Sequence, residues 1–209
     1  MSDKTIGTTV NTPEFRASYV NVFAARMNTL SNKMEYSVTA LFPKGAKITA
    51  LEKACEAAVM QRWGSDKTKW PKNLRSPFRK QEEREKDGEL PAGHEAGAVF
   101  VTFKTNENPR MPRPGVFDQR NKRIEEVDQS KIYSGCWLVA NVTAGAYPKK
   151  GVTGIAPGVT FYLNGVQLVR DDEPLSGRPS VEKSFAPIEG FESDDAASEG
   201  AGGLFNSLT

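Results

Sequence analysis

"KIYSGCWLVANVTAGAYPKKGVTGIAPGVTFYLNGVQLVRD", residues 131–171, decides the fold. Two long runs rich in β-branched and aromatic residues, 131–147 and 158–171, flank "PKKGVTGIAPG", a glycine-rich loop that carries Lys149 and Lys150. Upstream, "AVFVTFKT" (98–105) reads as a third strand, and "FRASYVNVF" (15–23) and "MEYSVTALF" (34–42) alternate as half-buried strands do. The last of these puts Met34, Tyr36, Val38, Ala40 and Phe42 on one face and Glu35, Ser37 and Thr39 on the other. "RMNTLSNK" connects the first two strands.

One helix interrupts the strands. Thr49 and Glu52 form a capping-box pattern that opens it, Gly64 closes it, and Leu51, Ala54, Cys55, Ala58, Val59 and Trp63 make its apolar stripe. About five or six strands without alternating helices predict a mainly β chain, an antiparallel sheet closed into a small barrel with one packed helix.

The composition excludes several classes. No run approaches the roughly eighteen apolar residues of a membrane span, and "MSDKTIGTTV" lacks the apolar core of a signal peptide, so the expectation is a cytoplasmic protein without membrane contact. Cys55 and Cys136 lie in apolar segments and read as core residues. With one histidine, His94, in a polar loop (81–97) and no paired cysteines, there is no material for a zinc site or a Ser-His-Asp relay; no metal or cofactor is expected. The glycines of "GVTGIAPG" match neither GxxxxGK[ST] nor GxGxxG.

Charge divides along the chain. Residues 1–170 carry 26 Lys and Arg against 17 Asp and Glu, whereas residues 171–209 carry 2 against 9. A basic body with an acidic tail suggests a polyanion-binding surface and a tail that recruits basic partners or occupies that surface. The tail lacks periodicity and cannot bury enough apolar surface to fold alone, which sets the expected division: a binding domain over 1–177 and a largely disordered acidic tail over 178–209. Leu204, Phe205 and Leu208 give that tail an apolar tip suited to docking on a partner.

The basic residues concentrate in loops. "KTKWPKNLRSPFRK" (67–80) holds Lys67, Lys69, Lys72, Arg75, Arg79 and Lys80 with Trp70 and Phe78 among them, and Pro71 and Pro77 make it an irregular arm. A second basic segment contains Arg110, Arg113 and Arg120, and Lys149 and Lys150 form a third. Cations for a backbone and rings for bases are what a single nucleic-acid strand requires. Trp70 and Phe78, on a polar arm, are expected to be accessible; Tyr133, Trp137 and Tyr147, on or near strands, read equally as core or as stacking rings.

A resemblance follows from ordered blocks. "SYVNVF" (18–23), "YSVTALFPK" (36–44), "RPGVFD" (113–118), "IYSGCWLVANV" (132–142), "AYPKKGVTGIAPGVTFYLNGVQLVRD" (146–171) and "EPLSG" resemble the successive blocks of a tailed-phage family of single-stranded DNA-binding proteins with an OB-fold core. The resemblance implies a non-catalytic sheath for single-stranded DNA in phage replication and recombination, and a tail that contacts phage or host replication proteins. Tails of this class commonly end on phenylalanine, whereas Phe205 here is followed by Asn206, Ser207, Leu208 and Thr209. Two alternatives remain: a metal-dependent nuclease using Asp118 and Asp128, and a β-rich virion or scaffold protein.

Overall fold

The computed structural model describes residues 7–29, 31–148 and 152–175. Among these residues, eight strands and one α-helix form in the order β1 (Thr9–Asn11), β2 (Phe15–Asn28), β3 (Lys33–Phe42), α1 (Thr49–Trp63), β4 (Arg79–Lys80), β5 (Val99–Asn106), β6 (Gly115–Phe117), β7 (Trp137–Tyr147) and β8 (Gly158–Arg170). Alternation puts Val38, Ala40 and Phe42 of β3 and Val101 and Phe103 of β5 into one interior, where Phe15 of β2, Leu138 of β7 and Phe161 of β8 meet them. Edge-to-face ring contacts run through this core from Phe42 to Phe15 to Phe103 to Phe161, with centroids 5.7–5.8 Å apart. Each such pair adds about 0.5–1.5 kcal/mol beyond its buried area.

Five strands close on themselves. β2 pairs with β3, β3 with β5, β5 with β8, β8 with β7, and β7 returns to β2 through Phe15↔Leu138 and Arg16↔Trp137. A ring with an odd number of strands cannot alternate direction throughout. One pair must be parallel, and it is β5–β8, with Phe103 opposite Phe161 and Lys104 opposite Tyr162. The closure is of the five-stranded Greek-key kind that OB-folds have. β1 continues the β2 side of β7, and β6 lies parallel to β8 beyond the end of β5.

The helix follows the second strand of the ring and packs against β7, β1 and β8. Leu51, Ala54, Cys55, Ala58 and Val59 form its buried stripe, and Trp63 packs partly buried against the same core. Its start differs from the capping-box expectation. Ile48 is the N-cap, and Thr49 makes no cap bond, because a backbone turn over Ala46–Ile48 already begins the helix. At the other end the Gly64 N–H, at φ 88°, donates to Met60 O. Cys55 and Cys136 are buried and unbridged, and desolvation pushes the Cys55 thiol up to about 12.

Candidate nucleic-acid interface

A groove of about 750 Å³ crosses the outer face of β5 and β8. The alternation that turns Val101 and Phe103 inward turns Phe100, Thr102 and Lys104 outward, and β8 adds Thr160 and Tyr162 beside them. The β2–β3 turn forms one bank with Asn28, Ser31 and Lys33; the end of the 67–80 arm forms the other with Ser76, Pro77 and Arg79. The β2–β3 turn stands where an OB-fold carries one of its two oligonucleotide-binding loops, and β5 belongs to its binding face; β8 and the arm, which lies between the second and third strands of the ring, extend that surface.

Three rings line the groove. Tyr162, 44% exposed, lies across β7 at Gly145, where a Cβ would stand 2.5 Å from its Cε2. Tyr147 lies in the same way across Gly158 of β8, with Arg75 beside it. Glycine at these two positions lets the rings lie close against the sheet, a geometry that suits base stacking. Phe100 is covered instead: the guanidinium carbons of Arg84 and Arg79 stand 4.9 and 5.5 Å from its ring centroid. Arg79 is also bonded through two nitrogens to Glu83, at 2.6 and 2.8 Å. Arg84 meets no carboxylate among the described residues, so its donors and outer face are open to a phosphate or a base.

One acid sits on this floor. Glu35, buried, accepts from Asn28 Nδ2 at 2.6 Å, Ser31 Oγ at 2.9 Å and Lys104 Nζ at 3.2 Å. Burial pushes its carboxyl up, but the bonds from Asn28 and Ser31 and the Lys104 charge outweigh that, and its pKa lies below the usual 4.5. Glu35 thereby ties the β2–β3 turn to the groove and half-neutralises Lys104.

With this geometry in place, a protein-family model described as the single-stranded DNA-binding protein of Enterobacter phage Enc34 matches residues 8–197. The chain belongs to that family. The solved structure of the bacteriophage Enc34 single-stranded DNA-binding protein in complex with ssDNA is similar over 81% of this chain and 90% of its own, with 18% identity and a TM-score of 0.59. The same phage protein without DNA gives 86%, 90%, 18% and 0.58. The single-stranded DNA-binding protein gp2.5 of bacteriophage T7 is similar over 86% of this chain and 98% of its own, with 18% identity and a TM-score of 0.50. At this identity the likeness is one of fold. No curated protein sequence matches the chain.

Within this family fold the sequence-derived candidates separate. Arg79 and Tyr147 line the groove, and Arg75 bridges to Gly158 at its edge. Lys72 and Lys80 are exposed on the arm. Lys67 pairs with Glu56 at 2.6 Å and Lys69 with Asp66 at 3.6 Å, beside the helix C-terminus. The expected accessibility of Trp70 and Phe78 is met only in part, because both rings are half-buried. Trp70 packs against the core and donates from Nε1 to Gly64 O at 2.8 Å, and Phe78 meets Phe161 edge-on at 6.0 Å, because apolar rings beside an open barrel end gain more by covering it than by facing water.

Tyr133 and Trp137 have a different task. Trp137 Nε1 donates to Asp172 at 2.7 Å, Tyr133 Oη donates to the Asp172 carbonyl at 2.8 Å, and Arg170 lies 3.9 Å over the indole. Arg16 donates to the Glu173 carbonyl, and Leu175 N–H to Ser134 O. These side chains clasp the segment that follows β8. The second basic segment does not line the groove: Arg113 is bonded to Glu125 and Glu126, while Arg110 and Arg120 are exposed on turns organised by Asn108 and Asp118. Lys149, Lys150, Leu204, Phe205, Leu208 and the whole 178–209 tail lie outside the described residues.

The groove residues that sequence reasoning missed are Arg84, Phe100, Lys104 and Tyr162. Lys104 and Tyr162 stand at outward positions of runs already read as strands, so strand phase was the signal. Arg84 sits in a mixed-charge segment that reads as a solvated loop. Asp118 accepts from the Arg120 and Lys122 backbone and Asp128 pairs with Lys131, and among the described residues no His, Cys, Asp and Glu side chains group as a metal site.

Proposed function

We propose that the protein binds and protects single-stranded DNA with little sequence preference during phage DNA replication and recombination, in the host-cell cytoplasm and without catalysis. Membership of the Enc34 family supports the reading. The observation that carries it is the groove in which two tyrosine rings laid on glycines, Tyr162 exposed and Tyr147 half-buried, stand beside Lys104 and Arg84. Rings take bases regardless of sequence and cations take phosphates, which makes a sequence-tolerant, salt-sensitive site.

Residues 1–177 form the binding domain in this reading, and 178–209 an acidic tail that competes for the groove and recruits replication or recombination proteins through Leu204, Phe205 and Leu208. Labelled single-stranded and duplex DNA incubated with and without Mg²⁺ tests it. A stable shift of the single strand without shortening is expected. Mg²⁺-dependent shortening overturns it in favour of a nuclease, and no shift at all in favour of a scaffold. Changing the three tail residues to Ala should leave DNA affinity intact and weaken capture of replication proteins from infected cells.

A further inference from the structure

We infer that a second base-binding pocket lies outside the groove, at Tyr19, and takes one unstacked nucleobase of a bound single strand. The inference rests on the single-strand reading above and extends it across the sheet onto β2.

Tyr19 is anomalous for a strand residue. Its φ is +48°, in the left-handed region that bulky side chains rarely occupy, and its ring is 59% exposed. The β2–β3 register shifts between Ser18 and Asn21, so Tyr19 belongs to a bulge. An ordinary bulge would place glycine, asparagine or aspartate there at lower conformational cost. A strained backbone that displays an aromatic ring to solvent is the kind of outlier that a binding role accounts for.

The surroundings fit a nucleobase. Tyr19 borders a cavity of about 310 Å³ with Ser18, Pro91, His94, Ser134 and Leu175. Pro91 and Leu175 give the lining apolar side chains, and two serines offer hydroxyls. His94 Nε2 is buried and has no hydrogen-bond partner among the described residues, while Nδ1 lies 3.4 Å from the Ala92 carbonyl. With the proton on Nδ1, Nε2 is an acceptor without a donor, and a base edge that shifts the imidazole toward the cavity supplies one. A purely apolar occupant would leave that nitrogen unsatisfied.

A polar path joins this pocket to the groove. Lys104 is opposite Ser37 across β5–β3, and Ser37 is opposite Asn21 across β3–β2. Asn21 Nδ2 donates to Ser37 Oγ at 3.4 Å and to the Tyr19 carbonyl at 3.2 Å. Two strand spacings, roughly 10 Å, separate β5 from β2. A strand lying in the groove can therefore continue to Tyr19 only if it is long enough to cross them.

Length dependence is the test. Binding of fluorescein-labelled oligodeoxyadenylates of about 5 and about 20 nucleotides, chosen to bracket the site sizes of OB-folds, is measured for the full-length protein and for Tyr19→Ala, Tyr19→Gly and His94→Phe. Tyr19→Ala should weaken the long oligonucleotide roughly 5- to 150-fold, the equivalent of one stacked base, and change the short one less than twofold. Tyr19→Gly should relieve the backbone, raise the Tm, and still lose affinity for the long one, which separates stacking from damage to the fold. His94→Phe should lose less than Tyr19→Ala. Equal affinity of wild type and both Tyr19 variants for the long oligonucleotide overturns the pocket and leaves the groove standing; tighter binding by the variants overturns it too, and assigns the cavity to the acidic tail. Failure of the wild type to bind either length defeats the single-strand reading itself.

Discussion

The indole Nε1 of Trp137 donates to the Asp172 carboxylate at 2.7 Å, and Arg170 covers the same ring from 3.9 Å. A side chain whose sequence context suits base stacking thus has its polar edge bound to the chain's own acidic segment and one face bound to a cation. Trp137→Phe keeps most of the packing and removes the donor. It should lower the Tm while leaving affinity for single-stranded DNA unchanged, which thermal melts and fluorescence-anisotropy titrations measure. A loss of DNA affinity with an unchanged Tm would return Trp137 to the binding surface.

Tyr147 and Tyr162 should behave in the opposite way. Each stands on a glycine with its ring toward the groove, so Tyr→Ala at either position should cost about 1–3 kcal/mol of DNA binding, with little loss of stability. Tyr→Phe should retain most of the affinity, because stacking uses the ring. Trp70→Ala, which removes a core-packed indole and its bond to Gly64 O, should lower the Tm and spare DNA binding.

Salt dependence separates the arginines and lysines that the sequence could only group together. Each phosphate contact on a single strand contributes about 0.7 to the slope of log K against log salt. Neutralising Arg84, which has no carboxylate partner among the described residues, should flatten the slope by about that amount, and neutralising Lys104, paired with Glu35, by less. Neutralising Lys67 and Lys69, which face Glu56 and Asp66, should leave it nearly unchanged. Titrations at several salt concentrations decide the matter, and a slope indifferent to Arg84 would remove it from the phosphate path.

These contrasts mark what the sequence could convey. Strand phase is written locally, so Val38, Ala40 and Phe42 of β3 and the stripe of α1 were legible; Met34 and Tyr36, grouped with them by phase, lie outside the core, and Glu35 on the opposite face is buried. The interior and the single helix followed from them. The parallel β5–β8 pair was not legible, since it arises from closing a five-membered ring and joins residues far apart in the chain. The same long-range closure decides which basic residues share a face. Arg79 and Tyr147 reach one groove, while Lys67, Arg113 and Trp137, similar by composition, find partners elsewhere. Exposure was only half legible from neighbours in sequence: Phe78 sits among cations yet is half-buried and meets the core ring of Phe161 edge-on.

Glu35 should show opposite effects on stability and on binding. Its carboxyl is buried and ties Ser31 and Lys104 together, so Glu35→Gln should destabilise the fold at neutral pH by roughly 1–3 kcal/mol. The same change removes a negative charge from the groove and frees Lys104, which should tighten DNA binding at low salt. The pH dependence has a definite sign. Because the folded pKa lies below the ordinary 4.5, the stability Glu35 contributes is fully present above that value and is lost as the pH falls through the lowered folded pKa. Melting curves between neutral and acid pH should therefore show a smaller acid-side loss in Glu35→Gln than in the wild type; parallel curves would mean that Glu35 carries no such linkage.

The tail gives the final prediction, which follows from charge. Residues 171–209 carry 2 basic side chains against 9 acidic ones, on a body with 26 against 17. A tethered segment of that sign is present at high effective concentration beside a cationic groove and resembles the polyanion the groove takes. Deleting residues 190–209 removes Glu192, Asp194, Asp195 and Glu199 and no basic residue, while leaving the clasp at Tyr133, Trp137 and Asp172 intact. The truncated protein should bind single-stranded DNA more tightly at low salt. Because the competition is electrostatic, the gain should shrink as the Debye length falls to about 8 Å near 0.15 M salt. A gain that persists at high salt would point to apolar contacts between tail and body, and no gain at low salt would show that the tail does not compete for the groove.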